Sequence, residues 1–136
     1  MSNLKNDLLK KIADKTAVVG IVGLGYVGLP LAVEMAEAGY KTIGFDVQSK
    51  KVDSVNAGHN YIGDIVGDKL KNMVETGYLR ATSDFDFISG VDAVAICVPS
   101  PLDKYQQPDI SYVKSSTESV AQHVHPGMLV VLESTT

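Results

Sequence analysis

The 136 residues suffice for one compact domain and are too few for two. A formal net charge of −4 argues against nucleic acid as the main partner, which would call for clustered Lys and Arg. The apolar runs are too short for a membrane span, Met1 to Lys15 lacks the apolar core of a signal peptide, and the sole cysteine, Cys97, suits a reducing cytoplasm.

Leu4, Leu8 and Ile12 recur at helical spacing, with Lys5, Asn6, Lys10 and Lys11 opposite them. Asn3 to Asp14 therefore reads as a short amphipathic helix, and residues 1–15 as a segment ahead of a domain spanning 16–136. Thr16 to Val22 is almost continuously apolar, as expected of a strand buried on both faces of a parallel sheet. A glycine turn follows at Gly23 to Gly28. Val27 to Ala38 then reads as a helix, with Pro30 in its first turn and Gly39 as its C-terminal cap. Thr42 to Phe45 is a second strand ending at Asp46.

Ser49 to Ala57 and Gly67 to Thr76 read as helices stopped by Gly58 and Gly77, with a loop from His59 to Asp64 between them. Leu79 to Thr82 is a short strand, Asp84 to Ser89 a helical turn, and Asp92 to Val98 a clear strand. A Pro-rich loop from Pro99 to Pro108 leads to a helix over Ser111 to Val124. A turn at His125 to Gly127 precedes a last strand, Met128 to Leu132. This alternation predicts an α/β fold: a Rossmann-type, doubly wound parallel sheet of order 3-2-1-4-5 with a short extra N-terminal helix. Ligand is expected outside the carboxyl ends of the strands, at the switch point between the first and fourth. The ending Glu133-Ser134-Thr135-Thr136, just after a strand, predicts a fragment of a longer protein.

Gly23-Leu24-Gly25-Tyr26-Val27-Gly28 is a G-x-G-x-x-G with a strand before it, a helix after it and Asp46 about 20 residues further on. Gly23 permits the tight turn, Gly25 lets main-chain amides approach a pyrophosphate, and Gly28 lets the helix pack on the strand. The helix N-terminus offers N–H donors and a positive dipole end. Asp46 would accept the adenosine ribose hydroxyls and repel a 2′-phosphate, favouring NAD over NADP, with Lys50 and Lys51 partly offsetting that repulsion. The alternatives are a turn that binds nothing, or S-adenosylmethionine or flavin in the same fold.

The run Gly23 to Ala32, Gly-Leu-Gly-Tyr-Val-Gly-Leu-Pro-Leu-Ala, resembles the opening signature of the UDP-glucose/GDP-mannose dehydrogenase family. Phe45-Asp46-Val47 with Lys51-Val52, Asn56-Ala57-Gly58 and Tyr61-Ile62 resembles its second βα unit. Cys97-Val98-Pro99-Ser100-Pro101-Leu102, with Pro108-Asp109 and Ser111-Tyr112-Val113, resembles its fourth strand and loop, and Glu133 to Thr136 the segment after the fifth strand. Within the family the pattern is most similar to the UDP-N-acetylglucosamine or UDP-N-acetylmannosamine 6-dehydrogenases.

The resemblance implies oxidation of a UDP-sugar C6 alcohol to a carboxylate with two NAD⁺, through a thiohemiacetal and a thioester on a cysteine. It implies that the catalytic cysteine, lysine and asparagine lie outside this chain, in a homo-oligomeric cytoplasmic enzyme feeding polysaccharide synthesis. The chain alone would then bind NAD without turnover.

Carried over residue by residue, the backbones of Tyr26 and Val27 face the pyrophosphate, Asp46 takes the ribose, and Lys51 lies beside the adenosine. Val98, Pro99 and Ser100 line the cleft, Ser100 standing where most relatives have threonine. Ser134 and Thr135 match a Ser-Thr pair whose threonine helps hold a catalytic water. The stretch Asp103-Lys104-Tyr105-Gln106-Gln107 departs from a loop that is often more basic in the family.

Cys97 reads as core packing. His59, His123 and His125 lack ligand spacing for a metal and read as solvated surface. Tyr61 and Ile62 stand open between a nucleotide-sugar contact and a packed loop, and Glu133 reads as a solvated strand end. Two rival functions remain: a non-catalytic NAD-sensing or interaction module, and a β-hydroxyacid-type dehydrogenase domain, which usually carries methionine where this chain has Val27.

Overall fold

In the computed structural model, which describes residues 4–25, 27–58, 67–97 and 111–132, helix α1 (Leu4–Asp14) precedes β1 (Val18–Val22), α2 (Gly28–Glu37) and β2 (Lys41–Phe45). Then come α3 (Ser49–Asn56), α4 (Gly67–Glu75), β3 (Leu79–Thr82), a 3₁₀ helix (Phe85–Gly90), β4 (Ala93–Ile96), α5 (Ser111–Ala121) and β5 (Leu129–Leu132). All pairings are parallel and the strand order is β3-β2-β1-β4-β5, as the alternation predicts. β1 lies at the centre. Its Val22 pairs with Phe45 on one side and Ile96 on the other, so the crossover direction reverses beside its carboxyl end.

Alternate side chains send two cores to the two faces of the sheet. Val19 and Ile21 of β1 join Leu29, Val33, Val55, Leu70 and Leu79 beneath the α2, α3 and α4 layer. Val22, Phe45, Val94 and Ile96 join Ile88, Val91 and Val120 beneath the 3₁₀ helix and α5. Phe45 and Phe85 meet edge to face at 5.7 Å between ring centroids.

The element ends differ from the sequence expectation by a few residues, for local reasons. β1 begins at Val18 rather than Thr16 because the amides of Thr16 and Ala17 donate back to the Lys11 carbonyl while Lys15 turns at φ 60°. α5 ends at Ala121 rather than Val124, where His123 N–H donates to Val120 O in a tightened last turn.

The two outer strands are treated differently. On β3, Asn56 donates from Nδ2 to Ala81 O at 2.9 Å and accepts Ala81 N–H at Oδ1 at 2.8 Å, so its side-chain amide pairs with the strand like a short neighbour. β5 is Leu-Val-Val-Leu with all four residues exposed.

Candidate functional site

The glycine turn leaves the carboxyl end of β1 at the sheet's switch point. Gly23 has φ 95°, in the left-handed region, and its N–H donates to Phe45 O at 2.7 Å. Leu24 drops its side chain into the core, fully buried, over Gly44 of β2. A Cβ on Gly44 would lie 2.7 Å from Leu24 Cδ2, so the missing side chain is Leu24's socket.

Asp46, just past β2, is 8% exposed. Its Oδ2 accepts the Leu24 N–H at 2.9 Å and its Oδ1 accepts the Gln48 N–H at 2.9 Å. A carboxylate oxygen can accept more than one hydrogen bond, so both keep capacity for donors arriving from the crevice. Beside Asp46, Val47 presents an apolar side chain that is 77% exposed.

Above the turn the described residues leave room. Among them, its chain neighbours aside, a Cβ on Gly25 would meet no atom within 4 Å. A Cβ on Gly28 would lie 1.6 Å from Gly23 O and 3.3 Å from Cys97 Cβ, so only glycine lets α2 start this close to β1. Val27 precedes α2 without a side-chain cap, and the first turn of α2 carries no acidic residue. A helix start with neither internal cap nor carboxylate is suited to an anion. The arrangement fits a dinucleotide: open space over Gly25 for a diphosphate, and a carboxylate one strand away for a ribose diol.

Of the residues singled out in the sequence, Gly23, Gly25, Val27, Gly28 and Asp46 are thus brought together. Lys51 sits half-buried in the first turn of α3, beyond Asp46. Tyr26, Val98, Pro99, Ser100, Ser134 and Thr135 lie outside the described residues, as do His59, Tyr61, Ile62 and Glu133. Cys97 is buried and its N–H donates to Val22 O at 2.7 Å, in keeping with core packing.

Two histidines depart from the solvated reading. His123 is half-buried with Nε2 3.4 Å from Asp86 Oδ1, and both ring nitrogens of His125 face main-chain carbonyls. The supporting roles of Leu24, Gly44 and Gln48 were not foreseen. Their one sequence signal is a large apolar residue between the first two glycines with a glycine two positions before the acid.

The model of the UDP-glucose/GDP-mannose dehydrogenase family, NAD binding domain, matches residues 17–136. The chain belongs to this family. It is an NAD-binding domain, and α1 precedes the matched residues.

UDP-N-acetyl-D-mannosamine dehydrogenase of Pyrococcus horikoshii is 35% identical over 118 residues, covering 86% of this chain and 28% of that protein. NDP-N-acetyl-D-galactosaminuronic acid dehydrogenase of Ralstonia nicotianae is 40% identical over 118 residues, covering 86% and 27%. The crystal structure of NDP-N-acetyl-D-galactosaminuronic acid dehydrogenase from Methanosarcina mazei superposes with a TM-score of 0.83 at 32% identity, covering 100% of this chain and 30% of that one. The chain thus spans under a third of the length of these three relatives.

Proposed function

We propose that this domain holds NAD⁺ for a longer nucleotide-sugar 6-dehydrogenase, which oxidises the C6 alcohol of a UDP-sugar to a carboxylate. One observation carries the reading: the open glycine turn and the Asp46 carboxylate stand on adjacent strands, joined through the Leu24 amide. Relatives named as dehydrogenases of UDP- and NDP-N-acetylhexosamine derivatives, at 35% and 40% identity, support the substrate class.

In this reading residues 16–136 are the cofactor domain and 1–15 an accessory segment. Main-chain amides over Gly23, Gly25, Tyr26, Val27 and Gly28 take the diphosphate. Asp46 takes the adenosine ribose, Lys51 lies beside the adenosine, and Val47 offers the adenine an apolar surface. Val98, Pro99, Ser100 and Ser134 line the crevice, and Thr135 orients a water. A hydroxyl can orient water but does not activate it alone. Bound NAD⁺ supplies a hydride acceptor. A cysteine elsewhere in the full-length enzyme would hold the aldehyde between two hydride transfers, with water releasing the acid.

Cytoplasmic location, assembly into homo-oligomers and service to polysaccharide synthesis belong to the same proposal. Among the described residues no helix is long and apolar enough to cross a membrane.

The test is a full-length protein carrying this domain, supplied with NAD⁺ and UDP-N-acetylhexosamines. Two NADH and one uronic acid per sugar are expected. NAD⁺ binding with no oxidation of any nucleotide sugar would replace the dehydrogenase reading with an NAD-sensing module.

A further inference from the structure

Three successive residues, Gly44, Phe45 and Asp46, hold the chain as it leaves β1. Val22 and Phe45 are the last ladder partners, and the Gly23 N–H donates to Phe45 O at 2.7 Å. One residue on, the Leu24 N–H donates to Asp46 Oδ2 at 2.9 Å while the Leu24 side chain lies over Gly44. The fit is close. A Cβ on Gly44 would stand 2.7 Å from Leu24 Cδ2, 3.1 Å from Cδ1 and 3.4 Å from Cγ. Leu24 has no exposed surface, so this seat in the core fixes where its main chain lies.

The two oxygens of Asp46 are tied to different parts of the fold. Oδ1 accepts the Gln48 N–H at 2.9 Å, two positions further along the same loop. That partner moves with Asp46. Oδ2 is tied to the end of another strand, 22 positions away. Turning the carboxylate out of the crevice gives up this charge-assisted bond. The anchor is as firm as the seat beneath Leu24.

A ribose 2′-hydroxyl can donate to a carboxylate, whereas a 2′-phosphate brings bulk and negative charge to the same place. The phosphate fits once the carboxylate swings aside. Lys50 and Lys51, in the first turn of α3, bring the opposite charge within a few residues. Preference between the two ligands therefore depends on what keeps Asp46 facing the ribose as well as on its charge.

We propose that Leu24, seated on Gly44, is a positioning residue that sets cofactor preference: it anchors the Asp46 carboxylate and so excludes a 2′-phosphate, with a side chain that is itself buried away from ligand. The proposal rests on the NAD⁺ reading of the crevice and adds a residue pair to it. Shortening Leu24 or crowding Gly44 loosens the anchor. NAD⁺ then loses an oriented acceptor and NADP⁺ loses an obstacle, so the ratio of the two affinities moves. A merely structural role leaves that ratio alone, because an unfolded fraction lowers both apparent affinities by the same factor.

The experiment uses the full-length protein carrying this domain, titrated with NAD⁺ and with NADP⁺ by calorimetry. The parent should bind NAD⁺ the more tightly. In Leu24→Ala and in Gly44→Ala the preference should shrink by at least about fivefold, the scale of one hydrogen bond to a charged group. Leu24→Met, which refills the seat, should restore it to within about twofold of the parent. Where Leu24→Ala does not fold, Gly44→Ala and the milder Leu24→Val decide. An unchanged ratio in variants that bind both dinucleotides overturns the proposal and leaves the NAD⁺ reading standing. A parent that binds no NAD⁺, or prefers NADP⁺, overturns that reading and the proposal with it.

Discussion

The Asp46 carboxylate holds the main chain of Leu24, its Oδ2 accepting the Leu24 N–H at 2.9 Å across 22 positions of sequence. With Oδ1 on Gln48 N–H at 2.9 Å, the same group fixes both the glycine turn and the entry to α3. The residue expected to grip a ribose thus also shapes the loop expected to cradle the diphosphate. Asp46→Asn keeps one oxygen and turns an NH₂ toward the other N–H. Losing one charge-assisted bond and leaving that donor unpaired should cost about 1–3 kcal/mol of stability, read by urea denaturation. NAD⁺ affinity, read by calorimetry, should fall by at least about tenfold.

Gly25 and Gly28 should separate binding from folding. The Gly25→Ala methyl meets no atom among the described residues beyond its chain neighbours, so stability should stay within about 1 kcal/mol while NAD⁺ binding weakens by at least about tenfold. Gly28→Ala drives a methyl to 1.6 Å from a main-chain oxygen and should destabilise the domain by about 3 kcal/mol or more. Thermal melts of the two variants with and without NAD⁺ check the contrast. Equal loss of stability in both would contradict it.

Leu24 and Gly44 form a plug and socket. Leu24→Ala should cost about 2–5 kcal/mol, being fully buried. Gly44→Ala alone should cost about 1–3 kcal/mol, because its methyl meets Leu24 Cδ2. In the double variant the new methyl occupies vacated space. The combined loss should fall short of the sum by about 1 kcal/mol or more in a denaturant cycle. Strict additivity would show that the two residues do not sense each other.

Asn56→Ala removes both bonds to Ala81 and should cost about 1–3 kcal/mol. Asn56→Asp keeps the acceptor but sets a carboxylate oxygen against the Ala81 carbonyl, so it should rescue little of that loss. Denaturation midpoints of the pair test whether the amide as a whole closes the β3 edge.

The fold was readable because its signals are local. Gly39, Gly58 and Gly77 have φ of 103°, 75° and 83° where helices α2, α3 and α4 were expected to stop. The apolar run of β1 is buried from Val19 to Val22, and that of β4 at Val94 and Ile96, with Ala93 and Ala95 half-buried. The glycine turn and Asp46 were legible because their spacing is fixed by one strand–turn–helix–strand unit.

What sequence withheld is contact between distant positions. Nothing in the runs around Asn56 and Ala81 announces their pairing, and nothing around His125 announces the Val91 carbonyl 34 positions away. In the sequence Asp46 is only an acid at a strand end, facing ligand. Its two main-chain partners exist only once β1 and β2 lie side by side.

The central claim is that the amides over the glycine turn and the Asp46 carboxylate form one NAD⁺ crevice. It is tested most directly by titrating the ¹⁵N-labelled chain with NAD⁺ and following each backbone amide. Saturable shifts should be largest at Leu24, Gly25, Gly28 and Gln48, with NADP⁺ producing the same pattern only at higher concentration. Absence of saturable shifts at these four amides, or tighter binding of NADP⁺ than of NAD⁺, would contradict the account.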